Sequence, residues 1–298
     1  MPQPPISTQI PIKELLLSAT THLASHSTSP RLDAEVLLSL TLAKPRSYLH
    51  AWPEQHPSAE QISAYEQLVK RRSNGEPIAH LTGEREFWSL VLKVSPDTLI
   101  PRPETEQLVE QTLTHIAAQQ GMQVADLGTG SGAIALAIAH ERPNCGITAV
   151  DSSASALKIA KANAARLNIG NIHFHHGDWL QGLPATFDII VSNPPYIRPD
   201  DPHLQQGDLL YEPATALVAT DNGMAAINRI CHQAREHLKP GGWLLLEHGY
   251  DQRQAVIKRL QQEGYSDIQA FKDLSGNDRL VQARMFHSKI VSETSIDH

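Results

Sequence analysis

The stretch Gln123-Val124-Ala125-Asp126-Leu127-Gly128-Thr129-Gly130-Ser131-Gly132-Ala133, continued by the apolar run Ile134 to Ile138, decides how this chain is organised. Val124 to Leu127 read as a buried strand that runs directly into alternating glycines and then a helix. Glycine lacks a Cβ, so the backbone there can turn sharply and come close to a ligand, while the helix N-terminus beside it offers N–H groups. Doubly wound sheets bind ligands at this carboxyl edge of their strands. Outward from the loop the elements alternate. A helix over 103–118 precedes it; helix 133–140, strand 146–150, helix 153–167, strands 172–174, 187–191 and 243–247, helix 223–238 and a last strand 279–283 follow. This alternation predicts an α/β fold, Rossmann-like, with a mostly parallel sheet covered by helices on both faces.

The first 75 residues read differently. Ile12, Leu15, Leu16 and Leu23 fall on one helical face, and Leu32, Val36, Leu37 and Leu40 on another. Ser29-Pro30 opens the second helix, and Ser58-Ala59-Glu60-Gln61 has the spacing of a capping box before a stripe of Ile62, Tyr65 and Leu68. A small helical bundle is expected over 1–75, a linking β-hairpin over 76–101, a larger domain over 102–284, and a polar, mobile tail over 285–298. With 298 residues, 41% of them apolar, the chain can build two cores without disulfide or metal staples. Cys145 and Cys231 lie far apart, form no C-x-x-C pair and read as small buried hydrophobes. The net charge of −7 argues against a surface built to wrap nucleic acid, and residues 1–85 carry eight basic and eight acidic side chains, so the deficit belongs to the rest. No apolar run approaches the roughly 18 to 20 residues of a membrane helix, and the first ten residues have no signal-peptide pattern, so a cytoplasmic protein is expected.

Asp151 follows the second strand about 20 residues after the loop, where a carboxylate accepts hydrogen bonds from ribose hydroxyls. A nucleoside ligand is the natural reading. Gly128-x-Gly130-x-x-Ala133 also satisfies the dinucleotide fingerprint, so charge has to choose between ligands. Asp126, two residues before the first glycine, would repel a pyrophosphate and suit an ammonium or sulfonium. No Lys or Arg occurs between Gln123 and Glu141. S-adenosylmethionine carries both cations and no phosphate, and is the cofactor expected, with S-adenosylhomocysteine as its product.

The fourth strand ends in Asn193-Pro194-Pro195-Tyr196. Pro194 disfavours helical geometry at Asn193, and two successive prolines stiffen an extended ledge. The Asn193 side-chain oxygen and the Pro194 carbonyl can accept both hydrogens of a planar NH2 group, leaving its nitrogen facing a methyl donor, with Tyr196 stacked on the plane.

Together the loop, Asp151 and this tetrapeptide resemble class I S-adenosylmethionine-dependent methyltransferases that act on nitrogen of planar groups, adenine or glutamine amide. The segments Leu99-Ile100-Pro101-Arg102-Pro103-Glu104-Thr105-Glu106, Gly83-Glu84-Arg85-Glu86-Phe87 and Asp33-Ala34-Glu35 resemble, more narrowly, the HemK-type protein-glutamine N5-methyltransferases acting on release factors. The resemblance implies that Gly128, Thr129, Gly130, Ser131 and Gly132 form the cofactor loop, that Asp151 binds the ribose, and that Trp179 flanks the adenine. It implies that Asn193 touches both cofactor and substrate, and that Pro194, Pro195 and Tyr196 complete a glutamine pocket. The expected acceptor is the Gly-Gly-Gln glutamine of class 1 peptide release factors, docked by the helical domain, with the enzyme a monomer and no nucleic-acid substrate. A ribosomal-protein glutamine methyltransferase and an adenine-N6 methyltransferase are the alternatives. The latter should supply basic tracks for a nucleic acid. Sixteen histidines, His173, His175 and His176 among them, lack a completing set of carboxylates or cysteines, so no metal is expected.

Overall fold

A computed structural model describes residues 10–286, which form two compact units. The first comprises the described residues up to Glu84 together with His203–Tyr211; the second comprises Arg85–Pro202 and the described residues from Glu212 onward. The expected tail lies, apart from Met285 and Phe286, outside the described residues.

The helical unit contains α1 (Ile12–Leu23), α2 (Pro30–Leu42), α3 (Arg46–Ala51), α4 (Ala59–Ser73) and α5 (Ile78–Thr82). On α1 the buried residues are Ile12, Leu15, Leu16, Ala19 and Leu23, the spacing of one helical face. Helix α4 carries the complete capping box: Ser58 accepts from the Gln61 N–H while the Gln61 side chain accepts from the Ser58 N–H. The apolar stripe expected on α2 is rotated. Leu32 and Leu40 are exposed, while Asp33, Ala34, Glu35, Leu37 and Leu38 are buried. Ion pairing inverts the pattern here: Arg72 Nε lies 2.7 Å from Asp33, and Arg31 and Arg46 each reach Glu35 at 2.7 Å. A paired and hydrogen-bonded carboxylate can occupy a face that an unpaired one would not. The Tyr211 hydroxyl donates to the Asn74 carbonyl at 2.6 Å, tying His203–Tyr211 into this unit.

The second unit holds the hairpin β1 (Glu84–Phe87) and β2 (Leu90–Lys93), then α6 (Glu106–Thr114), β3 (Gln123–Leu127), α7 (Ala133–Glu141), β4 (Gly146–Asp151), α8 (Ala154–Arg166), β5 (Ile172–His176), β6 (Phe187–Ser192), α9 (Ala214–Leu217), α10 (Ala225–His237), β7 (Leu238–Glu247), α11 (Arg253–Gln262), β8 (Tyr265–Lys272) and β9 (Asp278–Met285). The main sheet runs β5-β4-β3-β6-β7-β9-β8, with the first five strands parallel and β9 antiparallel to both its neighbours. Successive strand residues alternate between two cores: Val124, Ile189 and Val191 join α7 on one face, and Ala125, Leu127 and Ile190 join α10 and α11 on the other. The hairpin buries Phe87, Leu90 and Leu92 in the α7-side core, so it is built into this unit; it spans only Glu84–Lys93 of the 76–101 expected, because Pro77 opens the short helix Ile78–Thr82 and no strand forms over 94–101. Cys145 and Cys231 are buried and free. Helix α11 and strand β8 were not expected from the sequence, because β8 is a sheet-edge strand with mostly exposed side chains and no clear apolar alternation. Among the described residues no helix is long and apolar enough to cross a membrane.

Candidate active site

Register sets the site. Leu127 pairs with both Val150 and Ser192, Ser192 pairs with Leu246, and Asp151 pairs with His176. The residues that follow, Gly128, Asn193, Glu247 and Gly177, therefore stand in a row with Asp151 at the carboxyl edge of five parallel strands. The order of strands reverses between β3 and β6, the position where open α/β sheets bind ligands. The Ser192 hydroxyl donates to the Leu127 carbonyl at 2.7 Å and holds the two strand ends together.

Carboxylates shape the glycine loop from two sides. The N–H groups of Gly128 and Thr129 both donate to the Val150 carbonyl at 2.9 Å. Asp151 accepts from the Gly130 N–H through Oδ2 and from the Ser153 N–H through Oδ1, each at 2.8 Å. Asp126 is fully buried beneath the loop, where its Oδ2 accepts from the Thr129 hydroxyl at 2.6 Å and the Ala135 N–H at 3.1 Å. Burial pushes the Asp126 carboxyl up to about 7, against the pull of those two donors. Asp126 was expected to face a cation; it sits under the loop and occupies a helix-terminal N–H that a pyrophosphate would otherwise use.

A cleft of about 280 Å³ opens along this edge. Of the residues expected to hold a cofactor, Gly128, Gly130, Asp151, Trp179 and Asn193 line it. Gly128 has φ +73°, and a Cβ there would stand 3.3 Å from the Trp179 indole, so the missing side chain lets the ring lie against the backbone. Thr129, Ser131 and Gly132 stand behind the cleft. Thr129 bonds Asp126, the Ser131 carbonyl accepts from Asn163 Nδ2 at 2.9 Å, and Gly132 caps α7. Among the described residues, the charged groups on the cleft wall are Asp97, Asp151 and Asp178, and no Lys, Arg or His lines it. Asp178 is ion-paired with Arg229 at 2.6 Å.

On the ledge, Asn193 and Pro195 line the cleft and Pro194 is buried. Asn193 Nδ2 donates to the Thr105 hydroxyl oxygen at 3.1 Å, and the Thr105 hydroxyl donates to Glu247 Oε2 at 2.7 Å. The Tyr196 hydroxyl donates to Glu247 Oε1 at 3.3 Å. Burial raises the Glu247 carboxyl to about 7, although Thr105, Arg279 and Tyr196 all favour its charged form. Burial also raises the Tyr196 hydroxyl, which therefore stays protonated at neutral pH.

Sequence reasoning gives Glu247, Thr105 and Asn163 no place in the site. Asn163 is fully buried and exchanges bonds with the Lys93 N–H and carbonyl, joining the hairpin to the loop. A polar residue at helical spacing from Ala156 and Ala160, on the apolar face of α8, was the available signal.

Residues 118–282 match the family described as a methyltransferase domain, and residues 14–83 match that described as the PrmC N-terminal domain. The release factor glutamine methyltransferase of Coxiella burnetii is 50% identical over 274 residues, covering 92% of this chain and 98% of its own length. That of Escherichia coli K12 is 51% identical over 261 residues, covering 87% of this chain and 94% of its own. A methyltransferase structure from Pyrococcus furiosus has a TM-score of 0.52 at 20% identity, over 76% of this chain and 100% of that one, a likeness of fold.

Proposed function

Because the chain belongs to the release factor glutamine methyltransferase family, we propose that it methylates the side-chain nitrogen of the Gly-Gly-Gln glutamine of class 1 release factors, as a monomeric cytoplasmic enzyme. The observation that carries this reading is the meeting of two surfaces at one sheet edge: a cleft with carboxylates and no basic lining, and the Asn193 ledge beside it. Such a wall suits a cationic nucleoside and disfavours a polyphosphate. When bound, S-adenosylmethionine supplies an electrophilic methyl group. In this reading Gly128 and Gly130 let the backbone approach it, Asp151 holds the ribose, and Trp179 offers a face to the adenine.

An amide nitrogen is a poor nucleophile because its lone pair is delocalised. Asn193 Oδ1 and the Pro194 carbonyl accept its two N–H groups, stabilise the positive charge that develops on nitrogen, and align it with the sulfur–carbon bond. Transfer of that methyl group would leave the sulfur–carbon electron pair on sulfur as S-adenosylhomocysteine, while Asn193 Oδ1 and the Pro194 carbonyl would hold the amide as it loses one N–H proton to water. No strong base is needed beforehand. Glycines flanking the glutamine let it enter past the stiff ledge without side-chain clashes.

The pocket recognises only an amide, so selection among proteins falls to a second surface, which we assign to the helical unit. Mass spectrometry of a release factor treated with enzyme and labelled S-adenosylmethionine should place one methyl group on the glutamine. Label on another residue type, or on nucleic acid alone, would reject the assignment. A short Gly-Gly-Gln peptide should be a much poorer substrate than the intact factor; equal kcat/KM for the two would remove the docking role.

A further inference from the structure

Thr105 lies in the Arg102-Pro103-Glu104-Thr105-Glu106 run, which the proposed mechanism leaves unused. Both Thr105 and Glu247 are buried, and neither lines the cleft. Their hydrogen bonds nevertheless end on Asn193, which does line it. The Thr105 hydroxyl donates to Glu247 Oε2, and whenever that carboxylate is ionised it can only accept, so the single hydroxyl hydrogen of Thr105 is then committed to it. The Thr105 oxygen can then only accept from its other neighbour, and Asn193 meets it with Nδ2. An asparagine amide has one donor end and one acceptor end, so pinning the nitrogen leaves Oδ1 for the cleft. Without this constraint the amide can turn over, and its NH2 group would then oppose both a substrate NH2 and a cation.

We propose that Glu247 and Thr105 are positioning residues that fix the polarity of Asn193, so that its oxygen, not its nitrogen, faces the reacting amide. This rests on the glutamine-methylation reading above. The same carboxylate holds the Tyr196 hydroxyl at 3.3 Å, so one buried group orients side chains at both ends of the ledge. Asn193 lies at the end of β6, Glu247 at the end of the adjacent β7, and Thr105 immediately before α6. Three separate elements thus converge on one amide.

Thr105→Val removes the hydroxyl at nearly constant volume. In the full-length enzyme it should lower kcat for release-factor methylation roughly 10- to 100-fold, the scale of a misoriented reacting group. The affinity for S-adenosylmethionine, measured by calorimetry, should stay within about twofold. Thr105→Ser should regain most of the lost rate. In an Asn193→Ala background Thr105→Val should cost less than about twofold more, because its effect runs through a side chain no longer present. Should Thr105→Val fail to fold, Glu247→Met provides the second reading: it removes both the carboxylate and the buried charge, and the same loss of kcat and the same non-additivity are expected. A folded Thr105→Val or Glu247→Met enzyme with wild-type kcat overturns the proposal, as does a loss undiminished in the Asn193→Ala background. A wild-type enzyme that leaves the Gly-Gly-Gln glutamine unmethylated overturns the functional reading and this inference together. An active wild type with unaffected variants overturns only the inference.

Discussion

Two loops leave adjacent parallel strands at the same edge of the sheet and are made rigid in opposite ways. The loop after β3 has Gly128, Gly130 and Gly132 at φ of +73°, +55° and +87°, conformations that side chains resist. Glycine permits that shape but does not impose it, and the hydrogen bonds of Asp126 and Asp151 to backbone N–H groups hold it. The ledge after β6 is stiff because Pro194 and Pro195 fix its backbone, so what remains to be held is the direction of its side chains. There the buried carboxylate, Glu247, bonds hydroxyl groups and no backbone N–H among its hydrogen bonds described above. A carboxylate under a flexible loop sets backbone shape, and one under a rigid ledge sets side-chain polarity.

The comparison can be broken first at Asn193. Asn193→Ala should leave a folded protein and lower the methylation rate by about 10² to 10³, the loss seen when one preorganised polar group is removed from a reacting centre. Near-normal turnover in the purified, folded variant would contradict the role given to the ledge.

On the loop side the largest effect on stability should come from Asp126→Asn, visible as a change in pH dependence. The folded-state carboxyl titrates at about 7, above its ordinary value of 3.8. Between roughly pH 4 and 7 the unfolded chain has lost this proton while the folded protein keeps it, so the contribution of Asp126 to stability falls as pH rises. The stability of Asp126→Asn relative to wild type, from chemical denaturation, should therefore rise over that interval. A constant difference would show that the buried carboxyl is not raised.

Asp151→Ala should weaken S-adenosylmethionine binding by about 1 to 3 kcal/mol in calorimetry, through the lost ribose acceptor and the released Gly130 N–H. Unchanged affinity would remove Asp151 from the cofactor site. The two kinds of rigidity separate in the last pair. Gly130→Ala meets no neighbour within 4 Å, so its cost should be the left-handed backbone alone, about 1 to 2 kcal/mol of stability. Pro195→Ala should cost only about 0.4 to 1 kcal/mol, by freeing the unfolded chain. A proline variant more damaging than the glycine variant would reverse the contrast.

Much of this architecture is local and was legible along the chain. The strand before the glycines, the capping box of α4 and the alternation of helices and strands depend on neighbours within a few residues, and the structure places them where the sequence suggests. The glycine loop, Asp151 and the Asn193 ledge stand out in sequence because glycine, proline and carboxylate have chemistry that needs no partner to be noticed. Ion pairs across helices were not legible. Asp33 and Glu35 look like solvent residues until Arg72 of α4 and Arg46 of α3 reach them, adding to the Arg31–Glu35 pair within α2. Nor was the role of Asp126, because one residue's offset from a loop does not say on which side of it a carboxylate will lie.

The sequence by itself determined that a parallel α/β sheet with a glycine loop would follow a helical region, because periodicity and backbone preference act over short distances. Tertiary structure alone decided that Thr105, Asn193 and Glu247, spread over 142 positions, share one chain of hydrogen bonds. A hydroxyl's direction is set by whatever acceptor the fold brings beside it, and only the register of β6 on β7, with the packing of the segment before α6, supplies that acceptor.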